Sequence, residues 1–132
     1  MYLSGLVIEN FRVFGKDDDD ATKRRALRIR LQPGLTALVG RNDAGKSAVV
    51  DAIRYALLTR DQDYIRVQPD DFHVDESGVR ATEIRIRCTF EDLSVAEKGA
   101  FVEYLSYDEA KCVALHINWG AWPAPPHPHQ LD

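Results

Sequence analysis

Residues Gly40-Arg41-Asn42-Asp43-Ala44-Gly45-Lys46-Ser47 fit the pattern G-x-x-x-x-G-K-[ST]. Such a loop needs an apolar strand running in and a helix running out, and both are legible. Residues 35–39 form a short apolar run ending at Gly40, and the spacing predicts a strand there. Across residues 46–59 the apolar side chains Val49, Val50, Ile53, Ala56 and Leu57 recur at helical spacing on one predicted face. Gly40 and Gly45 permit backbone conformations that aim successive N–H groups at phosphate oxygens. The helix starting near Lys46 adds its positive end to the same spot. Lys46 can reach β- and γ-phosphates, and the Ser47 hydroxyl can ligate Mg²⁺. The predicted ligand is therefore a nucleotide with its Mg²⁺, bound by residues 40–47. Asp43 puts a carboxylate inside an anion-binding loop, which is tolerable if its side chain points outward.

Elsewhere the pattern alternates as strands do. Residues 6–14 read as a first strand whose apolar first half is covered on both faces, and residues 26–31 as a second. Together they form an antiparallel ribbon joined by an acidic loop that contains Asp17 to Asp20. That run reads as solvated and dispensable, because adjacent like charges repel. Residues 60–79 read as an acidic loop. Residues 82–90 alternate again, with Ile84, Ile86, Cys88 and Phe90 inward. A helix is expected over residues 95–105, with Ser94 and Glu97 spaced as a capping box, and a last strand over 111–119. The expected fold class is thus α/β: an antiparallel ribbon, a strand–phosphate loop–helix core, and a second β–α–β segment. Residues 1–119 make up this lobe. Residues 120–132 are proline-dense and are expected to be disordered.

Composition narrows the function classes. At 45% hydrophobic and 29% charged, the chain has a globular make-up, and its formal charge of −4 argues against a bulk nucleic-acid binder. A local basic patch stays compatible: if their strands are neighbours, Arg28, Arg30, Arg85 and Arg87 share one outward face. No stretch approaches the roughly 18 apolar residues of a spanning helix, so no membrane association and a cytoplasmic location are expected. Cys88 and Cys112 lack metal-ligand spacing and read as reduced thiols, while His127 and His129 make a poor metal pair on a loose tail.

The residues also resemble a family. Ile8-Glu9-Asn10-Phe11-Arg12-Val13-Phe14 is similar to the I-x-N-F-R-x-F opening of the SMC/RecF-type ABC ATPases, P-loop proteins also grouped as AAA-type. Residues 40–53, with Asn42 in the loop and Asp51-Ala52-Ile53 behind it, resemble their phosphate loop and following helix. Within that group, Asp71-Phe72-His73 and residues 85–94 look like the OLD family of ATP-dependent endonucleases. The resemblance spans residues 1–119. It implies ATP and Mg²⁺ as cofactors, and DNA as a partner through a full-length parent that works in DNA repair or cleavage. It further implies a homodimer of ATPase heads. It places Arg12 near the nucleotide phosphates, while Asp71 and Gln68 could touch Mg²⁺ or the attacking water, or could simply be surface-loop residues. His73 reads as a structural histidine.

That family also carries an LSGG-type signature, a Walker B strand ending in Asp-Glu and, in OLD members, a TOPRIM nuclease domain; none of these is written in residues 1–132. The chain therefore looks like the front lobe of an ATPase head, a truncated frame or fragment expected to bind nucleotide and turn it over negligibly. Two other classes stand beside this reading. One is a truncated, non-catalytic interaction module. The other is a GTPase-type switch, which would need an N-K-x-D motif that the sequence does not contain.

Overall fold

In the computed structural model, residues 1–17, 25–41, 45–57, 67–107 and 113–122 are described. They form a five-stranded antiparallel sheet with one long helix packed on one face. The strands are β1 (Tyr2–Glu9), β2 (Leu27–Arg30), β3 (Ile84–Glu91), β4 (Leu105–Tyr107) and β5 (Val113–Ala121), in spatial order β2-β1-β3-β5-β4. The helices are α1 (Lys46–Leu57) and the short α2 (Val95–Ala100).

Alternation builds the core. Ser4, Leu6 and Ile8 of β1 and Ile84, Ile86 and Cys88 of β3 point inward, where α1 presents Ala48, Val49, Ala52, Tyr55 and Ala56. The small alanines let the helix lie close to the sheet. Each fully buried Leu or Ile side chain contributes about 1.5–3 kcal/mol relative to exposure. Phe11 and Phe72 close the end of this core, and the Phe11 ring meets Tyr55 edge-on at 5.7 Å between centroids.

Several expectations need correction. The first strand ends at Glu9, not residue 14, because Asn10 and Arg12 take left-handed backbone angles (φ 58° and 52°) and fold residues 10–15 into a tight turn. Only one face of β1 is covered; Gly5, Val7 and Glu9 lie on the other, open face. Residues 35–39 form no strand. Leu35 is 99% and Val39 93% exposed, and no described strand lies alongside to satisfy their backbone groups. The predicted helical face is half right: Val49 and Ala56 are buried and Ile53 partly so, but Val50 and Leu57 face away from the sheet. The helix expected over residues 95–105 breaks after Ala100 into a 3-10 turn (Val102–Tyr104), and Leu105 begins β4.

The Ser94–Glu97 capping box is present, with Glu97 N donating to Ser94 Oγ at 3.2 Å and Ser94 N to Glu97 Oε2 at 2.8 Å. The last strand is shifted to Val113–Ala121, so Gly120 and Ala121 belong to the sheet rather than to a tail. Asp18 to Asp20, Cys112, His127 and His129 lie outside the described residues. Asp17 is described and binds Arg28 Nε at 2.7 Å.

Candidate functional site

The turn after β1 and the start of α1 meet at Gly45. Gly45 has φ +98°, and a Cβ there would stand 2.7 Å from Phe14 Cζ and 2.8 Å from Val13 Cγ2. Glycine is therefore required twice, once by backbone angle and once by the side chains pressed against it. From Gly45 the chain enters α1 directly, with Val49 N donating to Gly45 O at 3.0 Å. The first N–H groups of a helix have no acceptor within it and are free to meet an anion.

Lys46 and Ser47 open α1 beside a cleft of about 400 Å³ that they line with Leu38, Val50 and Asp51. The Lys46 ammonium donates to the carbonyl of Gly40, tying the two ends of the loop together. Gly40, Gly45, Lys46 and Ser47 are thus brought together, with Arg41 next to Gly40 in the chain. Asn42, Asp43 and Ala44 lie outside the described residues, so the side-chain direction of Asp43 is not described.

Beside this loop is a polar network whose extent the sequence does not reveal. Arg12 donates from Nε to Asp71 Oδ1 at 3.0 Å and from Nη1 to Asp51 Oδ2 at 2.6 Å. Its guanidinium also lies 4.8 Å from the centre of the Phe11 ring. The second Asp71 oxygen accepts from Tyr55 OH at 3.2 Å and from Gln68 N at 2.8 Å. Burial pulls the Arg12 pKa down, but the bonds and charges of Asp51 and Asp71 outweigh it and leave the group above its ordinary value. Burial, followed by the charge of Asp71, raises Tyr55, so its hydroxyl stays a donor.

Asp71 is not a surface residue: it is 5% exposed, and both its oxygens are engaged. Gln68 sits at the start of the 3-10 turn Pro69–Asp71 and contributes its backbone N–H to the network. His73 is buried, with Nδ1 2.7 Å from the carbonyl of Arg12 and its backbone N donating to Asn10 O at 3.0 Å. It is a structural histidine, as the sequence suggests. Arg12 is brought to α1 one helical turn beyond Ser47, yet its charge is matched there by two carboxylates.

Among the described residues no group of three or more His, Cys, Asp or Glu side chains could hold a metal ion, and no helix is long and apolar enough to cross a membrane. Cys88 is buried, and its thiol is pushed up to about 11 by that burial, which leaves it unreactive at neutral pH.

Comparison with known proteins gives consistent results. A family model described as an AAA domain matches residues 6–111. The chromosome partition proteins Smc of Mycobacterium leprae (strain TN) and Mycobacterium tuberculosis (strain ATCC 25618 / H37Rv) are each 37% identical to this chain over 57 residues. That match covers 43% of this chain and 4% of each relative. A solved structure from work on ATP-driven dimerization and DNA-stimulated activation of SMC ATPases superimposes with a TM-score of 0.62 at 21% identity. The overlap covers 93% of this chain and 64% of that one. The chain thus has the fold of part of an SMC ATPase head and spans a small part of the curated relatives' length.

Proposed function

The chain belongs to the AAA domain family matched over residues 6–111, and on that premise we propose that it binds Mg-ATP at residues 40–47 as the N-terminal part of an SMC- or RecF-like ATPase head. The observation that carries this reading is the Gly45 cradle, a glycine in a left-handed conformation from which α1 starts, with Lys46 and Ser47 at its mouth. The donor set suits the ligand: an ammonium and helix N–H groups for phosphate oxygens, and a hydroxyl for Mg²⁺. When bound, the metal would neutralise charge on the β- and γ-phosphates. The chain's own part is to bind and orient: Lys46 compensates phosphate charge, and Arg12 braces α1 through Asp51 from the turn that supports Gly45.

The wider reading includes DNA and a second ATPase head as partners, supported by the dimerization and DNA stimulation of the related SMC ATPases. The narrower assignment to OLD-type endonucleases rests on residues 71–73 and 85–94 of the sequence.

The decisive experiment is a calorimetric or fluorescence titration of the chain with Mg-ATP. Removing the Lys46 ammonium deletes charge-assisted bonds of roughly 1.5–3 kcal/mol each. Lys46→Ala is therefore expected to bind at least about tenfold more weakly, with an unchanged melting curve. Equal affinity in parent and variant would overturn the reading.

A further inference from the structure

The face of the sheet turned away from α1 carries a second constellation. Strand register sets Arg28 opposite Val7 and Val7 opposite Arg87, so two guanidinium groups flank one valine. Arg30, two residues after Arg28 and opposite Gly5, and Arg85, two residues before Arg87 and opposite Glu9, stand on the same face at its two ends. Carboxylates accompany them but lie lower. The side chains of Glu9, Glu83 and Glu91 are 20%, 32% and 29% exposed, against 57% for Arg28, 68% for Arg85 and 79% for Arg30. Asp17, which takes Arg28 Nε at 2.7 Å, is 41% exposed and also sits below its partner. A carboxylate underneath takes part of a guanidinium's donor set and orients the rest, leaving N–H groups for a ligand above. Arg87 is exposed and has no carboxylate within ion-pair distance among the described residues.

An aromatic platform borders these cations. Arg28, Arg87, Asn118 and Trp122 help to line a cavity of about 600 Å³ on this face. Trp122 is 65% exposed, and the outer edge of its ring lies against β5, where a Cβ at Gly120 would come within 3.3 Å of it.

We propose that this face binds single-stranded nucleic acid, with phosphates on the arginines and a base stacked on Trp122. Alternate residues of a strand stand about 7 Å apart, a spacing that suits successive phosphates of an extended backbone. An exposed indole can stack on an unpaired base but finds none free in a duplex. The overall charge of −4 repels nucleic acid, so the attraction is local and falls steeply with salt. The proposal gives the DNA part of the preceding reading a surface on this chain, and it stands or falls separately from the nucleotide part.

The test is fluorescence anisotropy of labelled oligothymidylate with the full 132-residue chain, alongside an ATP titration of the same preparations. The parent should bind the oligonucleotide more weakly as salt rises. Arg28→Glu with Arg87→Glu should lower affinity at least about tenfold, and Trp122→Ala roughly fivefold or more. ATP affinity should not change in any of them. Arg28→Gln with Arg87→Gln, which keeps the side-chain length, replaces the reversal if that variant fails to fold. Oligonucleotide binding in a chain unable to bind ATP would support this proposal while overturning the nucleotide reading. No salt-dependent binding by the folded parent, parental affinity in the arginine variants, or equal affinity for a duplex of the same length would each overturn it.

Discussion

Two stretches of similar apolar character meet opposite fates in this molecule. In β3, Ile84 and Ile86 are at most 1% exposed, sandwiched between β1, β5 and α1. In residues 35–39, Leu35 and Val39 are more than nine-tenths exposed and Leu38 is 45% exposed, although the segment leads straight into the phosphate loop. Hydrophobicity alone therefore does not make a strand. β3 has neighbours on both edges that take its N–H and C=O groups, whereas residues 35–39 have none among the described residues. Leu38 lines one cleft with Val50 of α1, and Val50 and Leu57 mark the second side of the helix, away from the antiparallel sheet.

The contrast can be broken most directly at Ile86. Ile86→Ala leaves a cavity against α1 and should cost about 2–5 kcal/mol in denaturant unfolding. A loss below 1 kcal/mol would mean that the sheet–helix interface is not the stable half. Next in size is Asp71→Asn, which removes a buried charge partner of Arg12 and should cost roughly 1.5–3 kcal/mol. If the variant melts with the parent, the network is ornamental to stability.

A third probe is alkaline pH. The folded-state thiol of Cys88 titrates near 11, above its unfolded value near 8.5–9. Between those values the unfolded chain has released a proton that the native chain keeps. Stability should therefore fall as pH rises from about 9 to about 11, by up to about 1.4 kcal/mol per pH unit from this group. Cys88→Ala should flatten that part of the profile, and an unchanged slope would place the thiol in water. The smallest effect is expected from Leu35→Ser and Val39→Ser, each within about 0.5 kcal/mol of the parent. A larger loss would show that the segment is paired in solution.

These differences also explain what was legible beforehand. The Gly45 turn, the start of α1 and the Ser94–Glu97 box are local patterns, carried by residues within a few positions of one another, and each appears where its spacing puts it. The inward set of β3 was equally plain, because alternation needs no knowledge of the partner. What escaped depends on distant contacts. Asp71 looked like a loop residue because its main partner, Arg12, lies 59 positions away in sequence. The first strand looked too long because Phe11 and Phe14 continue its apolar run, although the backbone has already turned at Asn10. On α1 the period was right but the buried stripe was rotated toward Tyr55, since an aromatic with a hydroxyl partner in Asp71 can be buried where a pattern of aliphatics puts an edge.

The contact of Val13 and Phe14 with Gly45 has a consequence for how such a chain can change over time. Residues 13, 14 and 45 fill one small volume, so a gain of bulk at any of them must be answered by a loss at another. Substitutions there should interact strongly rather than add, although 31 positions separate Phe14 from Gly45. The phosphate loop and the turn after β1 are in this sense a single heritable part: a loop transplanted from a relative would fit only if the turn that supports it came along.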